Sequence, residues 1–270
     1  MTGNEYLHEK RAVVTGGSRG IGEAIVRALH HAGAKVAVNY RSSADRAGRI
    51  VGELNEMRPN SARAFRADVS EPNDVAAMFA TIDEWVGGVD VLINNAGYED
   101  CRHLLDISYE SWTKVLHTNL TGPFLCTQEA GRRMETQFRA DSASSGVIIN
   151  LSSIHDAVPR KGFAHYSCAK SAVAMLTKAT ALELAEYNVR AVTVAPGAIR
   201  TDMNHEEIAQ FGEDRFRDWI PLSRVGETHD VSELVAFLCG PQAAYVTGSH
   251  LYVDGGYMQG LVQYDPRPPR

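Results

Sequence analysis

The sequence predicts an α/β fold: a doubly wound parallel sheet of about seven strands, covered on both faces as three αβα layers in a single domain. Three observations predict it. Short β-branched apolar runs alternate with helically spaced stretches along the whole chain. A strand, a glycine loop and a helix follow one another at residues 11–29, and alternation continued at this spacing argues for a parallel sheet covered on both faces. No Pro/Gly/Ser-rich or charged spacer divides the 270 residues, so one domain extends over 1–270.

Residues 11–16 form the first strand, stopped by glycine, and 21–29 the first helix by apolar spacing. Strands at 34–40 and 62–67 alternate with helices at 44–57 and 72–86, and a fourth strand follows at 89–95. A long helix at 111–138 bends at Gly122-Pro123, since proline removes a helical hydrogen bond. The fifth strand is 146–151, a helix without Gly or Pro runs over 163–187, and the sixth strand is 188–195. Residues 197–221 are polar, acidic and aromatic, a loop with short helices long enough to cover a site. A helix at 231–238 and a strand at 249–253 complete the sheet, between an N-terminal extension at 1–10 and a tail at 257–270.

Composition excludes several classes. Hydrophobic residues at 44% and charged residues at 22% are ordinary globular values, and a net charge of −6 without a basic block argues against a nucleic-acid partner. No apolar run reaches the length of a membrane span, and the first ten residues lack the basic start and apolar core of a signal peptide. Cys101, Cys126, Cys168 and Cys239 are scattered, with no metal-ligand spacing. A cytoplasmic protein without a metal site is expected.

Thr15-Gly16-Gly17-Ser18-Arg19-Gly20-Ile21-Gly22 joins the first strand to the first helix. Backbone N–H groups and the helix N-terminus there suit an anionic pyrophosphate, and glycine lets the chain turn and approach it. At the end of the second strand stand Asn39, Tyr40, Arg41 and Ser42, with no acid to repel a 2′-phosphate. Arg19 and Arg41 offer charge to one, so NADP is preferred and NAD possible. The alternative is that both arginines are solvated surface charges.

Tyr166 and Lys170 stand four residues apart, on one helix face. A phenol ordinarily ionises near pH ~10. One positive charge about 4 Å away at an effective dielectric of about 20 is worth roughly 4 kcal/mol, enough to make Tyr166 a working acid/base near neutrality. Ser153, on the preceding loop, is placed to hold the reacting oxygen. Alone, the Tyr/Lys spacing is common on helices.

With the glycine loop, Asn94-Asn95-Ala96-Gly97, Ser153, Tyr166 and Lys170 in this order, the chain resembles the short-chain dehydrogenase/reductase family from about Arg11 to Gly256. The resemblance implies a Rossmann-like fold and a Ser-Tyr-Lys-Asn proton relay. Ser153 would orient the substrate oxygen, Tyr166 transfer the proton, Lys170 lower the phenol and bind the nicotinamide ribose, and Asn119 hold a water. Asp68 and Val69 would contact adenine, Asn95, Ala96 and Gly97 the adenosine ribose, and Pro196, Gly197, Ile199 and Thr201 the nicotinamide side. Val192 stands where the family often has Asn, which puts local loop support in doubt.

Within the family, Asn94 to Glu99, Ser152-Ser153-Ile154-His155, His165-Tyr166 and Pro196 to Thr201 look like bacterial glucose 1-dehydrogenase segments. A polyol needs donors and acceptors, which Glu99, His155 and Asn204 would supply beside Ser153. Glu99 as a solvated carboxylate and His155 as a loop cap are the alternatives. The expected reaction is hydride transfer between a secondary alcohol or hemiacetal, a sugar first, and the nicotinamide. A 3-oxoacyl-carrier-protein-type ketoreductase or other carbonyl reductase is the competing chemistry, and a non-catalytic NADP(H)-binding regulator the competing class. Relatives are commonly tetramers, so a homotetramer is implied, with contacts from 245–248 and 252–256 and from Tyr257 and Tyr264.

Overall fold

Strands β1 (Arg11–Val14), β2 (Lys35–Tyr40), β3 (Ala62–Arg66), β4 (Val91–Asn94), β5 (Gly146–Leu151), β6 (Val189–Pro196) and β7 (His250–Val253) form one parallel sheet in the order β3-β2-β1-β4-β5-β6-β7. The computed structural model describes residues 5–202, 212, 216 and 218–259. Among them the main helices are α1 (Gly20–His31), α2 (Ala44–Met57), α3 (Pro72–Val86), α4 (Tyr109–Leu116), α5 (Gly122–Ala140), α6 (Ala164–Glu183) and α7 (Thr228–Cys239). The expected Asn204 and Tyr264 lie outside the described residues.

Successive strand residues feed two separate cores, because side chains alternate faces. Val14, Ile93, Ile149 and Val192 pack on one side with Ile25 and Leu29 of α1, Ile50 and Leu54 of α2, and Val235 of α7. Their immediate neighbours Val13, Leu92, Ile148 and Ala191 pack on the other with Phe79 and Ile82 of α3 and Cys126 and Met134 of α5. Each fully buried aliphatic or aromatic side chain is worth about 1.5–3 kcal/mol, so both faces must stay covered. Val192, the departure from the family pattern, is wholly buried and pairs with Ile149 in mid-sheet. It fills core and supports no loop.

The winding reverses between β1 and β4, which are neighbours in the sheet though far apart in sequence. Helices leave the carboxyl ends of β1 and β4 in opposite directions, and the crevice between them is where such sheets take ligands. Thr15 and Gly16, expected to end β1, lie beyond its last strand residue, Val14: Thr15 N–H still donates to Ile93 O, and Gly16 lines the crevice.

The long helix expected at 111–138 is interrupted earlier than at Gly122-Pro123. His117–Thr121 is a π turn between α4 and α5, a single wide turn of the kind that inserts an extra residue into a helix. Asn119 Nδ2 donates to Val115 O at 2.9 Å and to Tyr98 O at 2.6 Å, satisfying carbonyls there. Pro123, in the first turn of α5, needs no helical N–H partner. The helix expected at 163–187 stops at Glu183, and a 3-10 turn, Ala185–Tyr187, leads to Asn188 in the left-handed region at φ 56°. Among the described residues no helix is long and apolar enough to cross a membrane.

Candidate active site

The glycine loop is fixed by side chains from three strands. Asn95 Nδ2 donates to the carbonyls of Thr15 and Gly16 at 2.9 and 3.1 Å. Thr15 Oγ1 accepts from the N–H groups of Asn95 and Ala96. Asn39, at the end of β2 where the sequence shows no acid, is buried beneath the loop: its Oδ1 accepts from Gly16 N, and its Nδ2 donates to Phe65 O and Ala67 O. Gly16 needs its left-handed φ of 61°, and a Cβ on Gly22 would lie 2.3 Å from Gly16 O. No residue with a side chain substitutes at Gly22 without moving the loop.

A cleft of about 270 Å³ opens over this loop. Gly16, Ser18, Arg19, Gly20, Ile21 and Gly22 form its floor; Tyr40, Arg41, Ser42, Asp68 and Val69 its far end; Asn95, Ala96 and Gly97 its side. Tyr166, Lys170, Pro196 and Thr201 close the near end. Of the residues expected to hold the cofactor, Gly197 and Ile199 alone miss this cleft, and both line a second one of about 450 Å³. A dinucleotide fits the first cleft on the chain's own features: α1 starts without a side-chain cap, leaving its first N–H groups to a ligand, and the loop's glycines let its backbone at the cleft floor fold tightly against Ala96 and Asn95. At the far end Arg41 lies 3.6 Å from Asp68 Oδ2, so the arginine expected to meet a phosphate already faces a carboxylate.

The second cleft adjoins the first through a wall made by Ile21, Ser152, Tyr166, Pro196 and Thr201. Glu99, Ser153 and His155 line it as expected. His155 also has the bland role considered for it, since its Nδ1 lies 3.0 Å from Val158 O and its backbone N–H donates to Ser153 Oγ at 3.2 Å. Sequence reasoning missed the aromatic end. Trp219 and Tyr257 stack with ring centres 6.4 Å apart at 5°, and Phe216 meets Trp219 edge-on. The aromatic composition of 197–221 was the only local signal; the pairing with Tyr257 is long-range.

Tyr166 and Lys170 sit one turn apart on α6, next to the Ser153 loop. Ser153 stands beside the Tyr166 phenol and favours its ionised form. Lys170 is buried, its Nζ donating to Leu151 O at 2.8 Å and lying 5.6 Å from the centre of the Tyr166 ring. Burial pushes the Tyr166 phenol above its ordinary value; Glu99 pushes the same way, the neighbouring Ser153 hydroxyl opposes, and Asp156 adds a further upward push. Burial also brings Lys170 down to about 8, against upward pulls from Asp156 and Glu99. The expectation that the ammonium alone lowers the phenol is therefore corrected. The same desolvation that penalises the phenolate penalises the ammonium.

Asn119 is fully buried and lines neither cleft. Besides its two donated bonds it accepts from Tyr98 N at 3.3 Å, so its side chain ties the π turn to the segment leading into Glu99. Cys126 and Cys239 are buried, and Cys101 and Cys168 are exposed thiols. Among the described residues no cluster of His, Cys, Asp or Glu is placed to hold a metal.

Comparison with known proteins places these features among relatives. A family model described as enoyl-(acyl carrier protein) reductase matches residues 16–258. The chain is 41% identical over 254 residues to 3beta-hydroxysteroid dehydrogenase 1 of Eggerthella lenta, covering 93% of this chain and 94% of that one. It is 39% identical over 247 residues to the 3-oxoacyl-[acyl-carrier-protein] reductase FabG of Staphylococcus aureus, covering 92% and 97%. The crystal structure of a gluconate 5-dehydrogenase from Burkholderia cenocepacia, in complex with NADP and tartrate, superposes with a TM-score of 0.87 at 30% identity, covering 95% and 98%.

Proposed function

We propose, for a chain that belongs to the short-chain dehydrogenase/reductase family of NAD(P)-dependent oxidoreductases, that it oxidises a hydroxylated ring, a sugar or polyol, at a secondary alcohol or hemiacetal carbon. The observation that carries the reading is Tyr166 in the common wall of the two clefts, beside Ser153 and backed by Lys170. A substrate in the second cleft presents its oxygen to the Tyr166 phenol, which takes or returns the proton, while Ser153 holds that oxygen in place. Lys170 holds the ribose side of the cofactor and limits the cost of the phenolate, and Asn119 fixes the Tyr98 segment beside them. When bound, the dinucleotide supplies the hydride acceptor or donor, and in its oxidised form a positively charged ring.

Glu99 favours a neutral, hydroxyl-rich substrate over an anionic one, since a carboxylate that already raises Tyr166 would repel a second negative charge. The flat Trp219–Tyr257 pair offers a sugar ring an apolar face. A substrate panel tests this: glucose and other polyols with NADP, an acetoacetyl thioester and a 3-ketosteroid with NADPH. Faster turnover of the polyols is expected. Turnover of the thioester or steroid alone would replace the reading with a carbonyl reductase, which the apolar end at Phe216 and Trp219 favours.

NADP is the preferred cofactor in this proposal and NAD a usable one, because β2 ends without an acid and Arg41 lines the far end of the cleft. Arg41→Ala is expected to lower the NADP-to-NAD ratio of kcat/KM by about tenfold or more, the worth of one charge-assisted hydrogen bond. An unchanged ratio removes Arg41 from cofactor choice. The proposal extends to a cytoplasmic homotetramer, supported by exposed apolar side chains at Leu105, Tyr109, Leu182 and Tyr245.

A further inference from the structure

We propose that Asp156 is a positioning residue of the reaction centre, a buried carboxylate through which the last strand of the sheet holds the Ser153 loop and sets the field at Lys170 and Tyr166. The inference rests on the dehydrogenase reading above. Asp156 ends the short 3-10 turn that Ser153 begins, yet its side chain is only 2% exposed. Its Oδ2 accepts from Ser152 Oγ at 2.5 Å and lies 3.1 Å from His250 Nε2; its Oδ1 accepts from Tyr252 Oη at 3.2 Å. Its backbone carbonyl accepts from Ser171 Oγ at 2.6 Å. One residue thus joins the loop after β5, the helix bearing Tyr166 and the edge strand β7.

A turn of three residues needs none of this. A carboxylate is costly to bury unless its oxygens are paired, and here, besides Ser152, β7 supplies two neighbouring rings, His250 and Tyr252, whose centres lie 4.4 Å apart at a tilt of 35°. His250 Nε2 is close enough for an ion pair when protonated but out of line for a hydrogen bond. Ser152 Oγ also lies 3.2 Å from the Lys170 carbonyl, so the carboxylate is two contacts from the backbone of the catalytic helix. The charged and titratable groups facing it are His250 and Tyr252 from β7 and Lys170 and Tyr166 from α6. Glu99 acts on the same Lys–Tyr pair, and Asp254 acts on Tyr252.

The sign follows from the charge. A negative group beside Lys170 favours the ammonium, and beside Tyr166 it disfavours the phenolate. Asp156→Asn keeps the shape and an acceptor while removing the charge, so Lys170 gives up its proton at lower pH and Tyr166 ionises more easily. NADPH affinity, followed by cofactor fluorescence over roughly pH 6.5 to 9.5, declines in the parent as Lys170 loses its charge near its midpoint of about 8. The variant is expected to move that midpoint down by about half a pH unit or more, and Asp156→Glu to bring it back.

Tyr252→Phe and His250→Gln, changes at the partly exposed edge strand, provide the second arm should Asp156→Asn not fold. Each releases one side of the carboxylate, and kcat is expected to fall about threefold or more with KM for NADP and Tm near the parent's. An unmoved midpoint in a folded Asp156→Asn, or kcat unchanged in both β7 variants, overturns the inference. So does a loss of kcat that merely tracks Tm. A parent that binds no NADPH sinks the dehydrogenase reading and this inference with it; a parent that binds and titrates beside an unshifted variant sinks this inference alone.

Discussion

Tyr166→Phe keeps the fold and binds NADPH as the parent does, and its kcat falls by about 10³-fold, roughly 4 kcal/mol of lost transition-state stabilisation. The substitution removes one oxygen from a side chain that α6 and the edge of Phe163 already hold in place. Nothing in the sheet or the glycine loop depends on that oxygen. Because burial and Glu99 raise the phenol, the parent's oxidation rate increases with pH as phenolate forms, and reduction, which needs the protonated phenol, falls at the same end. The rise with pH in the oxidation direction disappears in the variant. Single-turnover rates in both directions across pH provide the measurement; a Tyr166→Phe enzyme within about threefold of the parent would refute the proton-transfer role.

Gly22→Ala has the other large effect, on binding. The new Cβ would stand 2.3 Å from the Gly16 carbonyl oxygen and 2.4 Å from Asn95 Nδ2, distances that real atoms do not share. Neither neighbour is a loose side-chain end. Gly16 is backbone in a left-handed conformation, and Asn95 is committed to two carbonyls of the same loop. The loop must shift, so NADPH affinity is expected to fall by about 100-fold or more, near 3 kcal/mol. Gly48→Ala and Gly52→Ala on α2 form the contrast: nothing lies within 4 Å of either position, and each is expected to stabilise by about 0.5–1 kcal/mol with NADPH binding unchanged. Equal NADPH affinities in Gly22→Ala and parent would contradict the close-approach account.

What the sequence displays and what it conceals differ by range. Helices α2 and α3 and strand β5 begin and end where local spacing, Pro72 and Gly146 put them, because their signals lie within a few neighbouring residues. The π turn at His117–Thr121 was not legible, since it is fixed by Asn119 reaching the Tyr98 segment across the fold. That Asn39 supports the glycine loop from beneath was not legible either, since it depends on strand register. The direction of the Tyr166 shift was also hidden. Spacing locates a neighbouring cation, but burial, which decides the balance, is a property of the finished packing. The Trp219–Tyr257 contact and the bridge from Asp156 to β7 each join residues brought together only in the folded chain.

Ile21, Ser152, Tyr166, Pro196 and Thr201 face both clefts at once, and this constrains any redesign of selectivity. A change made there for a new substrate is felt by the dinucleotide too, so the two Michaelis constants cannot be tuned independently from that partition. Engineering for altered scope belongs at the remote aromatic end, around Phe216 and Trp219, where a variant can reshape what enters without disturbing what is already seated.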